Sequence, residues 1–142
     1  MLVIDASVIV KLLKPEDDSD HALALIDHIA AERVASTIPS LALYETLSAA
    51  VHVGLPFTGV AQLFDTLREF GVALTQPTAV DLALAGDIAT SVSPIGGYPH
   101  LYDAIYHAMA VARNGVLVTA DIKHLRKTEH LGHVIALRNW RP

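Results

Sequence analysis

The fold class this sequence predicts is α/β: a three-layer α/β/α domain around a central, mainly parallel sheet of four to five strands. Short apolar runs alternate with longer amphipathic segments along the chain, the pattern of strands covered by helices on both faces. The 142 residues are 52 % hydrophobic, ample for one full core without staples. No internal repeat, low-complexity tract or linker interrupts them, so residues 1–142 read as a single domain.

The elements follow in order. Leu2 to Ile4 is a β run stopped by Asp5, and a helix from Ala6 to Leu13 ends at Lys14-Pro15. Asp18 to Glu32 repeats Ala22, Leu25, Ile26 and Ile29 at helical spacing, and Val34 to Thr37 forms a second strand. Pro39-Ser40 opens a helix bearing Leu43, Leu47 and Val51, with Ser40 as the expected N-cap. Phe57 to Phe70 is helical, Val72 to Leu74 is a strand, and Thr78 to Ser91 is helical again. The run Ser93 to Pro99 is a loop by its Pro and Gly content. Leu101 to Arg113 carries Leu101, Ile105, Ala108 and Ala112 in one stripe, with Gly115 closing it. Strand Val116 to Val118, a short helix after Asp121 and a strand from Val134 to Leu137 complete the chain.

Composition excludes several classes. With no cysteine there is no disulfide scaffold, thiolate zinc site or cysteine nucleophile. Thr46 to Phe64 has no charged side chain, yet Gly54-Leu55-Pro56 splits it into two short pieces, so no membrane span is expected. The start lacks the basic region of a signal peptide, and a cytoplasmic protein is expected. A net charge of −5 by itself argues against a nucleic-acid partner, which favours a basic face. Four acids gathered in one metal pocket would leave 11 acids against 10 bases, close to balance, so charge alone decides nothing.

In parallel sheets, ligands bind outside the carboxyl ends of the strands. Asp5 directly follows the first strand, and Asp121 lies just past Val116-Leu117-Val118. Either carboxylate serves equally as a helix cap. Asp103 stands in the first turn of its helix among Tyr102, Ala104 and Ile105, and Glu45 lies near the buried stripe of its own. Converging carboxylates repel: at ~4 Å and an effective dielectric of ~20, each pair costs about 4 kcal/mol. Protons or a divalent cation must relieve that. An all-oxygen donor set without paired His suits Mg²⁺ or Mn²⁺, and with it hydrolysis of a phosphate ester.

Four segments then carry a family resemblance in order and spacing. They are Val3-Ile4-Asp5-Ala6-Ser7, Pro39-Ser40-Leu41 with Tyr44-Glu45, Tyr102-Asp103-Ala104-Ile105-Tyr106 with Ala108 and Ala110, and Leu117-Val118-Thr119-Ala120-Asp121. The chain resembles PIN-domain ribonucleases over nearly its whole length, and among them the VapC-type toxins of prokaryotic toxin–antitoxin pairs. No one motif is specific; the ordered set is. The resemblance implies that Asp5, Glu45, Asp103 and Asp121 form the catalytic, metal-binding pocket, with Ser7 and Thr119 supporting it. It also implies magnesium-dependent endonucleolytic cleavage of RNA, a homodimer, and inhibition by a cognate antitoxin. Two departures bear on a second metal: Ser48 stands where Asn is often found, and Ile122, Lys123 and His124 follow Asp121 where a further acid often stands.

Lys123, Arg126 and Lys127, with His124 and His130, form a basic cluster that reads either as an RNA-phosphate contact or as a solvated helix face. Lys11 and Lys14 carry the same two readings. Arg138, Trp140 and Arg141 read either as a clamp stacking on a single strand or as a C-terminal tail packing its Trp on the body, and the second is expected. No histidine is assigned as ligand or base; His107, one turn after Asp103, faces either core or groove. The apolar run Val51, Val53, Leu55, Phe57, Val60 and Leu63 packs internally or makes a dimer or antitoxin surface. Three other functions compete. A haloacid-dehalogenase-type phosphatase needs Asp-x-Asp, and the second position here is Ser7. A phospho-receiver needs an Asp after a mid-chain strand, which is missing. A catalytically degenerate binding module would keep the fold without turnover.

Overall fold

The computed structural model describes residues 1–142. Five strands, β1 (Leu2–Ile4), β2 (Ser36–Pro39), β3 (Val72–Thr75), β4 (Val116–Thr119) and β5 (Val134–Ala136), form one sheet in the order β3-β2-β1-β4-β5. Every neighbouring pair is parallel. The seven helices are α1 (Ala6–Leu13), α2 (Ser19–Glu32), α3 (Leu41–Val53), α4 (Phe57–Glu69), α5 (Ala79–Thr90), α6 (Leu101–Ala112) and α7 (Ile122–Thr128). This is the expected three-layer α/β/α architecture, with the sheet wholly parallel. No helix is long and apolar enough to cross a membrane.

Strand order positions the site. The first strand lies at the centre, with Val3 opposite Thr37 on one side and Ile4 opposite Val118 on the other. The residues just past β1 and just past β4 therefore emerge side by side on the carboxyl edge, as the switch-point rule requires. Helix α6 covers this region with an unbroken buried run from Ala104 to Ala110, whose small residues Ala104, Ala108 and Ala110 let its backbone approach the strands. It also lies along α5, where Arg113 grips the buried Asp81 with two hydrogen bonds of 2.7 and 3.1 Å.

Three local expectations are corrected. The second strand runs Ser36–Pro39 rather than Val34 to Thr37. Helix α2 ends with Arg33 in a left-handed turn, and the Val34 N–H still bonds the Ile29 carbonyl, so the helix terminus uses the first residues assigned to the strand. Ser40 is no side-chain cap: its backbone is already helical, and its hydroxyl donates to Gln76 Oε1 at 2.7 Å. Strand β5 stops at Ala136, because Leu137 opens a 3-10 turn that delivers Trp140 against His28, ring centroids 5.4 Å apart. The tail thus packs on the body as expected.

Candidate active site

Asp5 caps α1, its Oδ1 accepting from the Ser7 N–H at 2.8 Å. Its Oδ2 accepts from the Thr119 hydroxyl at 2.7 Å. Thr119 Oγ1 in turn accepts from the Asp121 N–H at 2.9 Å, and Ser7 Oγ accepts from the Ala120 N–H at 3.0 Å. The two hydroxyls stand 3.4 Å apart. Ser7 and Thr119 therefore bind the start of α1 to the end of β4 and aim the Asp5 carboxylate. Asp121 caps α7, accepting from the N–H groups of Lys123 at 2.7 Å and His124 at 3.1 Å. For Asp5 and Asp121 the cap and the site are one arrangement, since a helix start on this edge sets both.

Glu45, on α3, accepts a hydrogen bond from the Tyr106 hydroxyl on α6. Asp103 is in the first turn of α6, half-buried and without a hydrogen-bond donor among the side-chain bonds at the site. Burial raises the carboxyls of Asp5 and Glu45, each against the hydrogen bonds it accepts. Asp103 is pushed up to about 7, first by burial and then by the negative charges of Asp5, Asp121 and Glu45. The negative charges of Asp5, Glu45 and Asp121 thus all act on Asp103.

Glu45, Asp103 and Asp121 line an open cavity of about 560 Å³. Lys123, Arg126 and Lys127 line it too, as do His100, Tyr102 and Ile95. Lys127 Nζ donates to the Tyr98 carbonyl at 2.7 Å and so ties the Ser93 to Pro99 loop to α7. Lys11 and Lys14 lie elsewhere: Lys11 bonds the Asp17 carbonyl and stands 3.7 Å from Glu16, and Lys14 lines an apolar groove with His52 and Val53. His107 is fully buried and faces the core, bonded through Nε2 to the Gly132 carbonyl at 2.8 Å. Of the apolar run, Val60 is buried, whereas Val51, Val53 and Phe57 are exposed.

The donor set suits a hard divalent cation: four carboxylates on one edge, with those of Asp5, Glu45 and Asp103 raised by burial and by neighbouring negative charge, and no sulfur. No three of these side chains are close enough to enclose an ion between them directly. That fits an ion held by one or two carboxylates with its other positions filled by water, as Mg²⁺ prefers.

Two site residues were given no role by sequence reasoning. Tyr106 lies one helical turn after Asp103, which points it along the same face of α6. His124, read only as part of a basic cluster, is buried and uncharged: burial and the neighbouring His107 push it down to about 4. Its spacing of three from Asp121 places it inside the first turn of α7 rather than on the solvated face.

No curated protein matches this chain by sequence. Among solved structures, a chain of FitAB bound to an IR36 DNA fragment aligns at TM-score 0.71 and 16 % identity, covering 100 % of this chain and 99 % of that one. A chain of VapBC2 from Rickettsia felis, bound to a DNA fragment from its promoter, aligns at 0.68 and 18 %, covering 95 % and 96 %. A chain of FitAcB from Neisseria gonorrhoeae aligns at 0.62 and 18 %, covering 99 % and 100 %. At these identities the agreement speaks for the fold. The family profile described as PIN domain matches residues 2–131, which take in every strand-end acid and both supporting hydroxyls, and the chain belongs to the PIN domain family.

Proposed function

We propose that the protein is a cytoplasmic, metal-dependent endoribonuclease and the toxin of a toxin–antitoxin pair. PIN domains are generally nucleases. The observation that carries the reading is the gathering of Asp5, Glu45, Asp103 and Asp121 at one sheet edge, beside a cavity that Lys123, Arg126 and Lys127 also line.

A Mg²⁺ or Mn²⁺ ion held by these acids would neutralise phosphodiester oxygens and lower the pKa of an attacking water. The chain's own groups do the rest. Thr119 and Ser7 fix the Asp5 carboxylate, and Tyr106 fixes Glu45. Lys123, Arg126 and Lys127 hold the flanking phosphates, and the exposed ring of Tyr102 offers a stacking face to an unpaired base. Lys11 and Lys14 sit outside this cavity and have no part in that reading.

Similarity to chains of the FitAB, FitAcB and VapBC2 complexes supports a cognate antitoxin partner. A homodimer rests on the family resemblance alone; exposed apolar side chains on α3 and α5, among them Tyr44, Val80 and Leu82, are available to it.

The test is cleavage of a mixed set of single-stranded and structured RNAs with Mg²⁺, with Mn²⁺ and with EDTA, the wild type beside Asp5→Asn. Cleavage that needs metal and disappears in the variant supports the assignment. Cleavage surviving in folded Asp5→Asn removes Asp5 from the site. No cleavage or RNA binding by folded, antitoxin-free protein overturns the nuclease reading and leaves the degenerate binding module.

A further inference from the structure

Three of the four acids are held by hydrogen bonds: Asp5 by Ser7 and Thr119, Glu45 by Tyr106, and Asp121 by two backbone N–H groups. Asp103 accepts none, although burial and three neighbouring carboxylates push it up to about 7. Facing it is a side chain with the opposite deficit. The His124 ring is buried, lines the acidic cavity, and neither of its nitrogens has a partner. Buried polar groups without partners are uncommon and call for a physical reason.

His124 Nδ1 stands 4.0 Å from Asp103 Oδ2, about 1 Å beyond hydrogen-bonding distance. The ring is held edge-on to His107, centroids 5.5 Å apart and planes at 72°. His107 is itself fixed, since its Nε2 faces the Gly132 carbonyl, which only accepts, and so must carry the hydrogen. The His124 ring therefore has a rigid neighbour behind it and an acceptor in front. Rotation of the Asp103 carboxylate, the one unanchored member of the four, closes the gap.

We propose that His124 is the positioning residue for Asp103, donating its Nδ1–H to the Asp103 carboxylate when that group is ionised against a cation. The inference rests on the metal-site reading of the four acids. It gives Asp103 what the other three already have, a donor that sets its rotamer. Partners of this kind, one step removed from the metal, change metal affinity by about 10–100-fold when deleted.

The experiment has two arms. In the first, ¹⁵N-labelled ring signals of His124 are assigned at about pH 8.5, where Asp103 is ionised, in the metal-free wild type and in Asp103→Asn. A neutral ring with its hydrogen on Nδ1, whose Nδ1 signal moves in the variant, is expected. A hydrogen on Nε2 overturns the proposal. In the second, Mn²⁺ affinity is measured by EPR for wild type, His124→Asn, His124→Gln and His124→Leu, each checked for folding by circular dichroism. His124→Asn places an N–H near the position of Nδ1 and is expected to stay close to wild type, while His124→Leu and His124→Gln weaken Mn²⁺ by about 10-fold or more. Wild-type affinity in His124→Leu, or rescue by Gln and not Asn, overturns it, as does a directly ligated histidine nitrogen in the Mn²⁺ spectrum. If the wild type binds no Mn²⁺, the metal-site reading fails instead, and the first arm still decides whether His124 and Asp103 are paired.

Discussion

The Thr119 hydroxyl donates to Asp5 Oδ2 at 2.7 Å while accepting from the Asp121 N–H at 2.9 Å, so one side chain registers two acids from opposite ends of the chain. Thr119→Val keeps the shape and removes both bonds. Leaving a buried acceptor and an amide unsatisfied costs about 1–3 kcal/mol. RNA cleavage is expected to fall about 10–100-fold, with Mn²⁺ affinity falling in step. Thr119→Ser should recover most of both; equal loss in Ser and Val would mean that packing of the methyl group, not the hydroxyl, matters.

Tyr106→Phe tests the corresponding support of Glu45. The ring is fully buried, and burial beside the Glu45 charge keeps its hydroxyl protonated far above neutral pH, so it acts as a donor throughout the working range. The variant should retain its thermal midpoint within about 1 kcal/mol of stability and lose about 10-fold or more in cleavage rate. Unchanged cleavage would show that Glu45 needs no orientation.

Removing a charge from the crowded acid cluster should stabilise the metal-free protein. Asp103 has a carboxyl raised to about 7, so between about pH 4 and pH 7 it ionises more readily in the unfolded chain, and stability falls as pH rises through that window. In EDTA at pH 7.5, Asp103→Asn is expected to gain about 1–2 kcal/mol, raising Tm by roughly 3–6 °C. With Mg²⁺ the order should narrow or reverse, because only the wild type gains the full binding contribution. A lower Tm for the variant in EDTA would contradict the repulsion.

Acid stability depends on a different pair. Arg113 holds the Asp81 carboxyl down at about 2, against an ordinary value near 4, and Thr78 adds two bonds to it. A depressed acid stabilises the fold above its unfolded pKa and loses that contribution as pH falls, here between about pH 4 and pH 2. The contribution is about 2 kcal/mol at neutral pH. Arg113→Met leaves Asp81 buried without its cation and is expected to cost about 3 kcal/mol. Urea titrations at pH 7 and pH 3 should show the difference between wild type and variant shrinking at the lower pH.

Periodicity was enough to place most elements, because apolar stripes such as that of α6 face the sheet and strand runs such as Val116 to Val118 are short and bounded. Asp5 and Asp121 were legible because a residue's position after a parallel strand fixes the edge it occupies. The start of β2 was not legible, since the left-handed turn at Arg33 carries no glycine to announce it. Nor was the Ser40 hydroxyl's preference for Gln76, a residue 36 positions away just past β3. Lys11 and Lys14 illustrate the same limit: helix position gives a residue's face, but Glu16 and Asp17 in the following turn decide where the Lys11 ammonium goes. His124 looked like one of a row of cations; only packing against His107 reveals a buried, neutral ring.

The placement of β1 at the centre of the sheet governs when the protein becomes chemically competent during its synthesis. Asp5 leaves the ribosome first, and β2 and β3 can pair beside it early, yet its other flank stays open until β4 arrives. A nascent chain ending before residue 116 already has three of the four acids and neither Thr119 nor Asp121. Its central strand has an unfilled edge, and its first acid lacks the long-range donor. A chain built this way gains its last acid, and the donor to its first, only when most of it has been made.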